Sequence, residues 1–207
     1  LRACETRTSD VVLGATPLRR AIRRTRVPGR GLVPSTVDLS GAELELIDVE
    51  RRSHRVRDAI TASQVDYQFV LIDCPPALGL LTLNALTAAD AVLIPLQCEF
   101  FALEGLSQLL RTVERVKRSF NPDLTLQGVV LTMFDKRNNL SDQVAADARN
   151  HWGAKVFDTV IPRNVRISEA PSHGMPALVY DHRCAGSRAY MDLAREFLKR
   201  EREPLAA

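Results

Sequence analysis

Four short apolar runs stand out along the chain, each closed by a turn-forming or polar residue. Phe69-Val70-Leu71-Ile72 ends at Asp73 and Cys74-Pro75-Pro76, and Ala91-Val92-Leu93-Ile94 ends at Pro95. Gly128-Val129-Val130-Leu131 runs into Thr132, and the stretch 155–161 ends at Pro162. Runs that stay apolar on successive residues, instead of alternating, predict parallel strands buried on both faces. Between them the period changes. Leu106, Leu109, Leu110, Val113, Val116 and Phe120 recur at helical spacing, with Arg111, Glu114, Arg115 and Lys117 mostly opposite, until Asn121-Pro122 stops the helix. Two more helices are predicted over 141–151 and over 189–200, where Tyr190, Leu193, Ala194, Phe197 and Leu198 form one apolar stripe.

The amino-terminal part is less regular. It predicts a helix over 8–24 broken at Gly14 and restarted at Pro17, a short strand over 31–35, and a helix over 38–57 capped by Ser40. Strands alternating with helices give an α/β fold: a mostly parallel sheet with helices on both faces. In such folds ligands sit beyond the carboxyl ends of the strands. Here those ends carry Asp73-Cys74-Pro75-Pro76, Pro95-Leu96-Gln97, Thr132-Met133-Phe134-Asp135 and Ile161-Pro162-Arg163-Asn164.

Composition narrows the class without naming it. The 207 residues are 45% apolar and 26% charged, the balance of a folded globular chain. No stretch reaches the roughly 20 apolar residues of a membrane span, so a cytoplasmic protein without membrane contact is expected. The net charge of +3 is small, but arginines cluster at Arg19-Arg20, Arg23-Arg24-Arg26 and Arg51-Arg52. Cys4, Cys74, Cys98 and Cys184 form no Cys-x-x-Cys pair, and reduced, buried thiols are expected. The four histidines show neither metal-ligand spacing nor a paired nucleophile.

Asp73 has the position of a Walker B acid, a carboxylate at a strand end that orders water around a nucleotide-bound magnesium ion. Turn capping explains many such aspartates equally well. Its neighbours change the balance. The segment from Asp66 through Asp73-Cys74-Pro75-Pro76-Ala77-Leu78-Gly79-Leu80-Leu81-Thr82-Leu83-Asn84-Ala85-Leu86 resembles the Walker B region of the ParA/Soj partitioning ATPases. Pro95-Leu96-Gln97-Cys98-Glu99-Phe100-Phe101-Ala102-Leu103-Glu104-Gly105-Leu106 is similar to that family's next strand-to-helix segment. Ile161-Pro162-Arg163-Asn164-Val165-Arg166-Ile167-Ser168-Glu169-Ala170-Pro171-Ser172 is similar to a later signature.

The resemblance spans roughly residues 10–198 and implies a P-loop NTPase-like domain that takes ATP and magnesium. It implies an ATP-dependent homodimer that binds double-stranded DNA without sequence preference, associates with the nucleoid and responds to a ParB-like centromere-binding partner. Asp73 would be the catalytic, magnesium-shell acid, acting through water. Met133, Pro162 and Asn164 would lie near the adenine ring, and Arg137 and Arg166 would hold the DNA backbone. Without the resemblance, Arg137 reads as a solvated loop arginine and Arg166 as the surface partner of Glu169.

The chain also departs from the pattern. Nowhere in the 207 residues is there a Gly-x-x-x-x-Gly-Lys-[Ser/Thr] run. That loop and the helix it opens hold nucleotide phosphates through backbone N–H groups and a lysine. The expectation is therefore a partial domain over 1–202, missing its first strands and phosphate loop, with a disordered tail over 203–207. Such a chain would bind no ATP or magnesium by itself and would not hydrolyse ATP. A noncatalytic DNA- or partner-binding remnant is the alternative. A MinD-like ATPase is a more distant one, because the terminal apolar stripe is accounted for by docking on the sheet.

Overall fold

The computed structural model describes residues 6–75 and 79–202, and of Asp38 only the backbone. Cys4, the turn at Pro76-Ala77-Leu78 and the expected tail over 203–207 lie outside the described residues. The chain divides into two compact units, residues 1–90 with 112–124, and residues 91–111 with 125–207.

The first unit is mostly helical. Helix α1 (Thr8–Leu13) starts with the Arg7 N–H donating to Asp10 and ends at Gly14, whose φ of 82° only glycine adopts easily. Pro17 then caps α2 (Leu18–Ala21). The predicted break and restart are both present, but the helix stops before Arg23. Arg23–Arg24 (β1) instead pairs antiparallel with Gly31–Leu32 (β2). The predicted helix over 38–57 is replaced by a 3-10 turn at Val37–Ser40, a single turn α3 (Ala42–Glu45), and α4 (Arg55–Ser63). Ser40 does not cap a helix; its hydroxyl donates back to the Val37 carbonyl at 2.7 Å. Arg51, in the left-handed region at φ 55°, marks the interruption.

Helix α5 (Leu80–Ala88) packs against α4. Asn84, fully buried on it, accepts the Val56 N–H and donates to the carbonyls of Arg52 and Leu80. One amide side chain thus fixes the entry to α4 against α5. At the other end Asn121 donates to the carbonyls of Leu86 and Ala89, closing α5.

The segment 69–72 differs from its prediction. It belongs to neither sheet, and Phe69, Val70, Leu71 and Ile72 are 48, 52, 87 and 38% exposed. An apolar run becomes a buried strand only when neighbours cover it, and among the described residues the ladders are β1–β2 and the sheet of the second unit. Cys74 is likewise exposed, contrary to the expectation of a buried thiol, whereas Cys98 is buried and its burial pushes the thiol pKa up.

The second unit carries the parallel sheet: β3 (Ala91–Gln97), β4 (Thr125–Phe134) and β5 (Val156–Pro162), in the order β3-β4-β5. Helix α6 (Ala102–Ser119) follows β3, and its residues from 112 onward belong to the first unit. Helices α7 (Asn139–Trp152), α8 (Val165–Glu169), α9 (Ala177–Tyr180) and α10 (Ala185–Arg202) complete the chain. Val129, Leu131 and Val156 face one core with Leu106, Val144, Ala145 and Ala148 of α6 and α7. Val130, Phe157 and Ile161 face the other, with Ile167 of α8 and Ala189, Leu193 and Phe197 of α10. The sheet is covered on both faces, as the apolar runs predicted. The α10 stripe is shifted: Ala189, Leu193 and Phe197 pack inward, while Tyr190 and Leu198 are 40 and 42% exposed. No helix among the described residues is long and apolar enough to cross a membrane.

Candidate functional site

The carboxyl ends of β4 and β5 are shaped by a bulge. Leu131 lies opposite Val160 and Phe134 opposite Pro162, so three steps along β4 match two along β5. The extra residue is accommodated at Met133, whose φ of 53° lies in the left-handed region that side chains with a Cβ seldom adopt. The bulge also reverses which residues face α6 and α7. Leu131 faces that core, and beyond the bulge Phe134 does so again, three residues later. Met133 is thereby turned out of the regular alternation at the rim, half-buried. The Arg163 N–H donates to the Phe134 carbonyl at 2.9 Å and ties the loop after β5 to the end of β4.

From this rim the chain enters two helices, and an asparagine starts each. The Asn138 side chain accepts the Leu140 N–H at 3.0 Å at the start of α7, and Asn164 accepts the Arg166 N–H at 2.9 Å at the start of α8. Each cap uses the side-chain oxygen. The Asn164 amide NH2 makes no hydrogen bond to the described residues and remains a donor, beside the half-buried Pro162.

Of the two arginines singled out by sequence, Arg137 lies on the loop after β4 and Arg166 in the first turn of α8. Arg137, with its side chain 87% exposed, forks onto Asp135 at 3.0 and 2.8 Å. Arg166 pairs with Glu169 at 2.9 Å and approaches Asp181 at 3.8 Å, while the Tyr180 hydroxyl donates to the same Glu169 oxygen. The pairing of Arg166 with Glu169 is the one its spacing suggested. Hydrogen bonds from the Arg137 side chain and backbone hold the Asp135 carboxyl down at about 2. Sequence reasoning placed Asp135 at a strand end but missed its role as the base of the Arg137 loop. The signal was there, since an aspartate two residues before another residue commonly accepts that residue's backbone N–H. Tyr180 and Asp181, fourteen and fifteen residues beyond Arg166, had no local signal.

Met133, Pro162, Asn164, Arg137 and Arg166 thus share one rim of the second unit. Asp73 belongs to the first unit, on an exposed stretch following residues 69–72.

Comparison with known proteins finds relatives along most of the chain. An AAA-domain family model matches residues 2–126. The chromosome partitioning protein ParA of Caulobacter vibrioides is 60% identical over 196 residues, covering 94% of this chain and 73% of that protein. The sporulation initiation inhibitor protein Soj of Bacillus subtilis is 49% identical over 187 residues, covering 90% of this chain and 74% of its own length. Among solved structures, cobyrinic acid a,c-diamide synthase from Mycobacterium smegmatis with bound ADP and magnesium superposes with a TM-score of 0.81 at 34% identity, over 97% of this chain and 74% of that one. With a P-loop NTPase fold and relatives of this similarity along most of its length, the chain belongs to the ParA/Soj family of chromosome-partitioning ATPases.

Proposed function

We propose that this chain carries the DNA-contact surface of its family's partitioning switch, whose ATP-bound dimer would bind duplex DNA of any sequence and be released by a ParB-like partner. The observation that carries the reading is the shared rim. Two exposed arginines follow β4 and β5, Arg137 on a loop and Arg166 in the first turn of α8, near residues suited to a base, so nucleotide occupancy and DNA contact would bear on the same two segments. Arg137 and Arg166 would contact phosphates, which carry no sequence information, and the nonspecific binding follows from that.

Bound nucleotide and magnesium would supply the phosphate charge and the cation that balances it. Asp73 would orient the ion's water shell, and Met133, Pro162 and Asn164 would hold the base. The residues present fit the base end. For the phosphate end the 207 residues offer no glycine-lysine loop, and by themselves they would neither retain ATP nor hydrolyse it.

The test is the salt dependence of duplex binding. Replacing Arg137 and Arg166 together by alanine is expected to lower affinity and to reduce the slope of log K against log salt by about 2. An unchanged slope with unchanged affinity refutes the assignment.

A further inference from the structure

The loop that presents Arg137 is organised around Asp135. Oδ1 accepts the Arg137 Nε–H at 3.0 Å and its backbone N–H at 3.1 Å, and Oδ2 accepts Nη2–H at 2.8 Å. A fork of this kind uses Nε and one hydrogen of Nη2. It leaves the opposite edge of the guanidinium, Nη1 with the second Nη2 hydrogen, available to another acceptor. The exposures agree: the Arg137 side chain is 87% exposed and that of Asp135 only 23%. The carboxylate stands behind and the guanidinium in front.

The base of the fork is itself anchored. The Asp135 N–H donates to the hydroxyl of Ser141, a buried residue of α7, at 3.4 Å, and its carbonyl accepts the Asn138 N–H at 2.9 Å. The fork holds the carboxyl down at about 2, so Asp135 is ionised at neutral pH. Arg166 has a single such bond, from Nη1 to Glu169, which the Tyr180 hydroxyl also engages.

We propose that Asp135 is a positioning residue for DNA, holding the Arg137 guanidinium with its outer edge free for a backbone phosphate. The proposal rests on the reading of this rim as the DNA-contact surface. An unrestrained surface arginine spreads over many rotamers and must give up that freedom when it binds; a fork formed on folding has already removed much of it. The opposing effect is repulsion between Asp135 and the phosphate. In water, at physiological salt, that repulsion is weak and screened. Removing the Asp135 charge should therefore weaken DNA binding, although the rim becomes more positive. Counting charges alone gives the opposite sign.

Asp135→Asn keeps a side-chain oxygen for the Arg137 backbone N–H and so preserves the turn, while it loses the anionic fork. Binding of a labelled duplex of arbitrary sequence is measured for the 207-residue chain, Asp135→Asn, Arg137→Ala and the double variant. The expected result is a loss of about three- to tenfold for Asp135→Asn, no further loss from it in the Arg137→Ala background, and partial recovery with Asp135→Glu. In the DNA-free protein the Arg137 Nε–H resonance should be sharp and slow to exchange, and averaged in Asp135→Asn. Equal or tighter binding by Asp135→Asn, with Arg137→Ala weakened, overturns the positioning role alone. If Arg137→Ala binds as well as the unmodified chain, or if that chain binds no duplex at low salt, the underlying DNA reading fails as well.

Discussion

At the scale of single residues, position 73 and position 133 illustrate different kinds of readiness. Met133 is held in an unfavourable backbone region by the β4 bulge, and such strain persists only where the surrounding structure enforces it. The bulge supplies that enforcement, because Phe134 must return to the core shared with α6 and α7. Asp73 has no comparable frame: it is exposed and follows apolar residues that are themselves exposed. A lone carboxylate can order water around magnesium, but it cannot hold a triphosphate. The purified 207-residue chain with magnesium and ATP is expected to release no phosphate above a buffer blank, with Asp73→Ala indistinguishable from it. Turnover that Asp73→Ala abolishes would show that the chain holds the phosphates by other means.

At the scale of elements, the outer edge of β5 is closed by side chains of α10. Glu196 accepts the backbone N–H groups of Asp158 and Thr159, both at 2.9 Å. Arg200 donates to the carbonyls of Ala154 and Val156 and to Glu196, and its guanidinium lies 3.9 Å from the centre of the Phe157 ring. An edge strand whose donors and acceptors are occupied in this way cannot template pairing with another chain. Burial pushes the Glu196 pKa up, but the hydrogen bonds from Thr159, Asp158 and Arg200 outweigh it and hold the carboxyl below its ordinary value. A folded pKa below the unfolded one adds stability that is present above the unfolded value, near 4.3, and is lost as pH falls through the folded value. Glu196→Gln is expected to cost about 2 kcal/mol at pH 7 in urea unfolding, and the gap should narrow on acidification below about pH 4. A gap of the same size at pH 7 and pH 3 would contradict the role given to the charge.

At the scale of the whole molecule, what could be read in the sequence followed the physics of burial. Runs such as 128–131 became strands because both faces are covered, and the helix through Leu106 and Leu110 kept its apolar face toward the sheet. The run at 69–72 has the same composition but is in neither ladder, because composition states a capacity for burial and only neighbours realise it. Helix α5 was not foreseen, since Leu80-Leu81-Thr82-Leu83-Asn84-Ala85-Leu86 has no polar face to set a period. The helix expected over 38–57 failed at Arg51 and at Asn84, the latter a tertiary contact to α5 that no local pattern announces. Of the candidate site, the strand-end loops were legible in the apolar runs, whereas the five residues proposed for it came from the family resemblance. The bulge at Met133 and the approach of Tyr180 and Asp181 to the Arg166–Glu169 pair needed the fold. The family resemblance held along most of the chain.

The central claim is that the rim of β4 and β5 is where DNA is met. Backbone amide resonances of the 207-residue chain, followed as a duplex of arbitrary sequence is added at low salt, test it most directly. Arg137, Asn138 and Arg166 should shift progressively and return to their starting positions when salt is raised. Shifts confined to other segments, with these three amides unmoved, would contradict it.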